Sequence, residues 1–242
     1  MLPSKVCSLL GWLLPACLCP PTSAAGTYGQ TLILQIPIKV SATIPSAPAW
    51  TCLMNTYKKS PGVLGISYAP ESGDKHTIDL FVDVDNSSAG KEVEKIITSS
   101  DAVKSLRHIQ DGTIRQYIVP FDQPQPLRTL NTAGDTELAI FYLLPGASPQ
   151  NLTDFESAFG TLKSAVESAS GELYATSGWH QGKAVNPTIR VDVSAYVALV
   201  GWDSLATHQT FQTTDAFVGA ITHLVPFLSG NFDSDAKLIK VL

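Results

Sequence analysis

One stretch of this 242-residue chain combines residue types and spacing that could carry chemistry: Trp202-Asp-Ser-Leu-Ala-Thr-His208, which ends an apolar run and opens a helical pattern. A histidine in the first turns of a helix feels the positive end of the dipole, which lowers its pKa and favours the neutral imidazole. Such a group suits a general base toward a phenol or an acidic C–H. The competing reading of His208 is a capping or supporting histidine bonded to a backbone carbonyl. His180 follows Trp179 at the end of another apolar run and is expected at the same end of the sheet, lining a pocket or exposed in its loop. Trp202, Tyr196 and Trp179, with Tyr174 and Phe141, lie on adjacent apolar runs and could form a wall that stacks flat aromatic ligands, or could simply fill a core. Arg190, in a polar loop, could steady a developing anion or lie in solvent. His108 and His223 sit late in helical patterns, where the dipole alone accounts for them, and His76 sits in a polar turn.

Several chemistries lack their motifs. There is no phosphate-cradling glycine loop, dinucleotide fingerprint, cysteine pair, His-x-x-x-His spacing or Gly-x-Ser-x-Gly elbow. No cofactor and no metal is therefore expected. Lysines and arginines total 16 and are dispersed, with a net charge of −5 and no basic stripe, so nucleic acid is not an expected partner. No apolar run reaches the roughly 18 residues of a membrane span.

The elements that must hold these residues repeat. Thr98-Ser-Ser-Asp-Ala-Val103 is echoed by Gln212-Thr-Thr-Asp-Ala-Phe217, and each is followed by about two helical turns carrying a histidine, His108 or His223. In the first copy, strands are expected over Thr31 to Val40, Val63 to Ala69, Thr77 to Val84 and Ile114 to Phe121. Trp50, Leu53, Met54 and Tyr57 mark one helix with Pro48 in its first turn, and a second begins near Ser88. In the second copy, Glu137 to Leu144, Gly171 to Trp179, Ala195 to Trp202 and Ala236 to Leu242 are the expected strands. Phe155, Phe159, Leu162, Val166 and Ala169 form a helical stripe, and Asp203 or Ser204, then Thr213 or Thr214, can cap the helices after Trp202.

Each copy thus reads βαββαβ, the ferredoxin-like unit with both helices on one sheet face. Strands apolar on both parities must bury the second face too, and the economical partner is the other copy's sheet. The expected fold is α+β, two tandem ferredoxin-like repeats forming an intramolecular dimeric α/β barrel. The expected domains are 26–124, a degenerate first repeat, and 125–242, which holds the candidate pocket. Residues 1–25 have the order of a secretory signal peptide: Lys5, apolar Val6 to Leu18, then Thr22-Ser-Ala-Ala-Gly26. Its removal would leave Cys52 as the sole cysteine, with no internal disulfide. Secretion follows if the segment is cleaved, a cytoplasmic location if not. Asn86-Ser-Ser88 and Asn151-Leu-Thr153 are N-glycosylation sequons.

Trp202 to Phe211, with Thr214-Asp-Ala-Phe217 and Leu224-Val-Pro226, resembles the strand-three and helix-two signature of the dimeric α/β-barrel superfamily. Within it, the chain is most similar to fungal proteins with antibiotic-biosynthesis-monooxygenase domains in tandem. Both copies, residues 31–242, fall under the resemblance. Copy one departs from it, with Val84-Asp-Asn-Ser where copy two has Trp202-Asp-Ser, and with no counterpart of His208. The resemblance implies a cofactor-independent monooxygenase of an aromatic, polyketide or terpenoid natural-product intermediate. It would use O2 and a small apolar substrate, with His208 as base and Trp202, Tyr196, Trp179 and His180 around the substrate. The same scaffold also serves cyclases, dehydratases and stress-response or ligand-binding proteins without chemistry. The chain is expected to be a monomeric pseudo-dimer, with further association left open.

Overall fold

The computed structural model describes residues 29–71, 76–99, 104 and 106–242. The signal-like segment 1–25, and the first-copy motif from residue 100 to 103, lie outside the described residues.

The first half runs β1 (Gln30–Pro37), α1 (Pro48–Lys59), β2 (Val63–Pro70), β3 (Thr77–Val84), α2 (Ser87–Ser99) and β4 (Arg115–Val119). A short helix α3 (Leu127–Leu130) occupies the link. The second half runs β5 (Asp135–Leu143), α4 (Pro149–Glu167), β6 (Glu172–Trp179), a small hairpin β7 (Ala184–Val185) and β8 (Asp192–Val193), then β9 (Ala195–Trp202), α5 (Leu205–Gln212), α6 (Asp215–Leu224), β10 (Leu228–Ala236) and β11 (Ile239–Lys240). The two sheets are ordered β11-β2-β3-β1-β4 and β10-β5-β9-β6. Setting β11 aside, both have the 4-1-3-2 order of the ferredoxin-like unit, antiparallel throughout.

Parity explains how the halves combine. In each sheet one parity faces its own helices: Leu32, Leu34, Trp50, Leu53 and Val93 form one such core, and Phe141, Phe155, Phe159, Val200 and Trp202 the other. The opposite parity of both sheets meets in a third core, with Ile33, Phe81, Tyr117 and Val119 against Leu138, Ile140, Tyr142, Val197 and Leu199. The chain is an α+β barrel made of two ferredoxin-like halves, and its interior is packed with side chains.

The barrel closes along two seams. At one, β4 meets the end of β6: Gln181 N–H donates to the Ile118 carbonyl at 2.8 Å and Asp122 N–H to the Ser177 carbonyl at 3.1 Å. This approach needs Gly178, since a Cβ there would lie 2.7 Å from the Pro120 carbonyl oxygen. At the other seam the chain passes from sheet to sheet, β10 pairing with β5 and β11 with β2. A single last strand over Ala236 to Leu242 is thus corrected. The strand is β10, whose sequence LSGNFDSDA carries no apolar run because it is a sheet edge with one face given to polar residues.

Interior polar groups bridge the sheets. The Tyr117 and Tyr142 hydroxyls are 2.6 Å apart, and Ser234 Oγ donates to Asp79 Oδ2 at 3.0 Å. Asp79 Oδ1 also accepts from Gln35 Nε2 at 3.2 Å, and Asp83 accepts from Thr31 Oγ1 and from the Leu127 N–H. Burial pushes both carboxyls up to about 6, against the hydrogen bonds from Ser234, Gln35, Thr31 and Leu127 and the charge of Arg115 near Asp79. Among the described residues no helix is long and apolar enough to cross a membrane.

Candidate functional site

β9 ends at Trp202, Ser204 caps α5 by accepting the Thr207 N–H at 3.3 Å, and α5 then carries His208 back over the sheet. Replacing Ser204 with alanine removes that cap and should cost about 1 kcal/mol in urea unfolding. An unchanged midpoint would show that the packing of Phe211, not the cap, holds α5.

His208 is 1% exposed. Its ring stacks on Trp202 at 5.0 Å between centroids and 11° between planes. Nδ1 lies 2.7 Å from Asp235 Oδ1 and Nε2 3.2 Å from Glu137 Oε2, which also accepts the Trp202 indole N–H at 3.2 Å. Glu137 and Asp235 are direct cross-strand partners on β5 and β10, so His208 separates two like charges that would otherwise face each other. Asp135 and Asp233 share their face, Asp233 accepting from Gln212 Nε2 at 3.3 Å. One oxygen of Asp135, Oδ2, is buried without a hydrogen-bond partner.

The electrostatics follow from this geometry. Burial works against a charge on His208, but the bond to Asp235 and the charges of Glu137, Asp235 and Asp233 outweigh it and raise the imidazole to about 9. Glu137 rises to about 7, because its burial outweighs the help of the His208 charge, and Asp135 and Asp233 rise to about 6 through burial and the neighbouring Asp235 charge. The expectation of a neutral imidazole at a helix N-terminus is corrected. The His208 imidazole is favoured in its charged form, with both ring nitrogens facing carboxyl groups, because the Asp235 bond and the surrounding acidic groups outweigh burial and the partial charge of a helix end.

The aromatic wall also divides. Antiparallel pairing sets Trp179 opposite Tyr196 but Trp202 opposite Glu172. Trp202 with His208 therefore lies at one end of β9, and Tyr196, Trp179 and His180 lie about 20 Å away at the other. Placing His180 at the Trp202 end overlooked the reversal of direction between neighbouring strands. Tyr196 packs against Phe159 at 4.8 Å and Trp179 at 4.8 Å, and its hydroxyl meets Ser177 Oγ. The Trp179 indole N–H donates to Glu156, and Tyr174 lies on the barrel side. His180 Nδ1 accepts the Ile118 N–H at 3.0 Å at the β4–β6 seam, and burial lowers its pKa.

The sequon asparagines both sit at helix starts. Asn86 Oδ1 accepts the N–H groups of Ser88 and Ala89 at 2.9 Å, and exposed Asn151 completes a capping box with Ser148. Arg190 is in an exposed loop with positive φ, and His223 ends α6.

A cleft of about 570 Å³ opens between the end of α4 and the junction of α5 with α6. Ala165, Ala169, Ala206, Thr210, Phe211 and Thr214 line it, and no lining side chain is ionisable. Phe211 joins it to the buried site, its ring 5.4 Å from Trp202.

The carboxylates were not found from the sequence, although Asp135 with Glu137, and Asp233 with Asp235, have the period of two that places both members on one strand face. Among the described residues the first half has no such cluster. By register, Gln30 faces Val84 as Asp135 faces Trp202, so Leu32 takes the position of Glu137.

No family model matches the chain, and no curated protein matches it. Among solved structures it is similar to an anthrone oxidase-like protein (11% identity, 89% of this chain and 93% of that one, TM-score 0.63). It is also similar to a proposed monooxygenase of Fusobacterium nucleatum (13% identity, 89% and 94%, TM-score 0.60) and to a proposed chlorite dismutase (10%, 88% and 96%, TM-score 0.53). At such identity the shared property is the fold.

Proposed function

We propose that the chain is a cofactor-independent monooxygenase of the antibiotic-biosynthesis type, acting on a flat, electron-rich aromatic intermediate in the cleft between α4 and the α5–α6 junction. The observation that carries this reading is the cleft itself: about 570 Å³, lined by alanine, serine and threonine residues and by the aromatic Phe211. Such a volume and lining suit a fused-ring ligand with a few hydroxyls. The fold shared with an anthrone oxidase-like protein supports the same substrate class. With no ionisable group on the lining, the pocket's work is orientation of a substrate acidic enough to give its C–H proton to solvent at the open mouth of the cleft, from which the peroxide formed later takes a proton back. Its carbanion passes one electron to O2, the radicals recombine, and loss of water from the hydroperoxide leaves a carbonyl carrying one oxygen of O2. His208, charged and turned to carboxylates, is a positioning residue in this reading: it holds Trp202, which backs Phe211.

The test is oxygen uptake with anthrone as substrate and ¹⁸O2 as label. Wild type should consume one O2 per anthrone and place one label in the product. Ala206→Trp, which fills the cleft from an exposed position, should lower kcat/KM at least ~10-fold through KM. No enzyme-dependent uptake, or an Ala206→Trp variant as active as wild type, would remove the proposal. A second reading, a ligand-binding barrel without turnover, is favoured by the absence of any ionisable side chain on the cleft. It predicts quenching of tryptophan fluorescence by anthrone without oxygen uptake.

A further inference from the structure

We propose that Asp135, Asp235 and His208 bind a divalent transition-metal ion, in a site closed between β5, β10 and α5. One donor atom from each of the three lies within 4.8 Å of the others. The cluster alone would be only an ion-paired histidine. The buried Asp135 oxygen is what points further: Asp135 is 5% exposed, and its Oδ2 has no hydrogen-bond partner. Leaving a buried acceptor unmet costs about 1–3 kcal/mol, more for a charged one. His208 is in direct contact with Asp235 and Glu137 but not with Asp135, which its charge reaches only at longer range and against the repulsion of Asp235.

A cation on the Nδ1 side resolves this. It would take the place of the proton between Nδ1 and Asp235 and accept Asp135 as a further oxygen ligand. His208 would keep its Nε2–H toward Glu137, whose Oε2 also accepts from Trp202. That is the carboxylate–histidine–metal arrangement, in which the outer carboxylate fixes the tautomer and orientation of the ligating ring. Ligands on one ion at about 2.1 Å are about 3 Å or more apart, so the 2.7 Å Nδ1 to Oδ1 contact must open slightly. One imidazole nitrogen with two carboxylates suits zinc or manganese; magnesium and calcium prefer all-oxygen sites. Glu137, His208 and Asp233 form a second group on the Nε2 side. It is the weaker choice, because Glu137 Oε2 already accepts the Trp202 indole N–H while facing His208 Nε2, and Asp233 already accepts from Gln212. A cation at the first site would tie α5 to the sheet edge whatever the cleft binds.

The experiment is calorimetric titration of the full chain with Zn²⁺ and Mn²⁺ after chelator treatment and desalting, with Mn²⁺ paramagnetic resonance as a second readout. Wild type should bind one ion saturably. Asp135→Asn should weaken Kd at least ~100-fold, and Asp233→Asn should change it by less than ~3-fold. Circular dichroism confirms that each variant is folded, and Glu137→Gln, which keeps all three ligands, should weaken Kd ~10-fold through the outer contact. Absence of saturable one-to-one binding, binding indifferent to Asp135→Asn, or loss of binding in Asp233→Asn but not in Asp135→Asn would each overturn the proposal.

Discussion

Replacing His208 with alanine is expected to destabilise the protein by about 3–5 kcal/mol at pH 7, a loss usual when one partner of a buried ion pair is removed. The change deletes the cation between Glu137 and Asp235, which are direct cross-strand partners, and leaves Asp135 and Asp233 on the same face. It also uncovers the face of Trp202, which is fully buried and stacked on the imidazole. Urea unfolding followed by circular dichroism measures the loss. A companion variant, Glu137→Gln, keeps a hydrogen-bonding side chain and removes one of the clustered anions, so it should cost far less. A His208→Ala loss below about 1 kcal/mol would mean that His208 is not the counterion holding this edge, and the assignment of an imidazolium there would fall.

The barrel interior gives the second large effect, as a dependence on pH. Asp79 and Asp83 have folded-state pKa values raised to about 6, burial being the main cause. An unfolded aspartate ionises near 3.9. Between about pH 4 and pH 6 the folded state therefore keeps protons that the unfolded chain has released. The sign is unfavourable: stability is greatest below the window, falls as pH rises through it and is flat above. Across a window of that width the loss is about 3 kcal/mol for each group. Asp79→Asn removes one contribution and still offers an oxygen to Ser234 or Gln35, while its amide can meet Gln35 Oε1, now buried without a partner. The variant should match wild type at pH 4 and exceed it by about 2–3 kcal/mol at pH 8 in paired urea titrations. An Asp79→Asn protein weaker than wild type at pH 8 would show that Arg115 and the hydrogen bonds more than offset the burial of the charge. Comparing variant with wild type cancels the other titrating carboxyls, including those around His208.

Much of the fold was legible in the residues. Trp50, Leu53, Met54 and Tyr57 became the buried stripe of α1 behind Pro48, Phe155 to Val166 that of α4, and β9 runs from Ala195 to Trp202 as expected. The argument that strands apolar on both parities need a second sheet is answered by the shared core of Ile33, Phe81, Leu138 and Val197. β10 was missed because an edge strand needs only one buried parity, supplied by Phe232, Ser234 and Ala236, and its other face is charged. The cluster around His208 was missed with it, since Asp233 and Asp235 had no strand to sit on.

The sequence by itself determined the periodicities, hence most of the strands and helices, though not β10, and that each sheet must bury both faces. Burial of apolar area is a local property that the pattern of residues states directly. Only the tertiary structure decided the chemistry. Whether His208 is neutral or charged depends on carboxylates from β5 and β10, far from it in the chain, and whether aromatic residues form one wall depends on the direction of neighbouring strands. Charge and distance are properties of residues brought together from separate elements, and no spacing along a single strand or helix contains them.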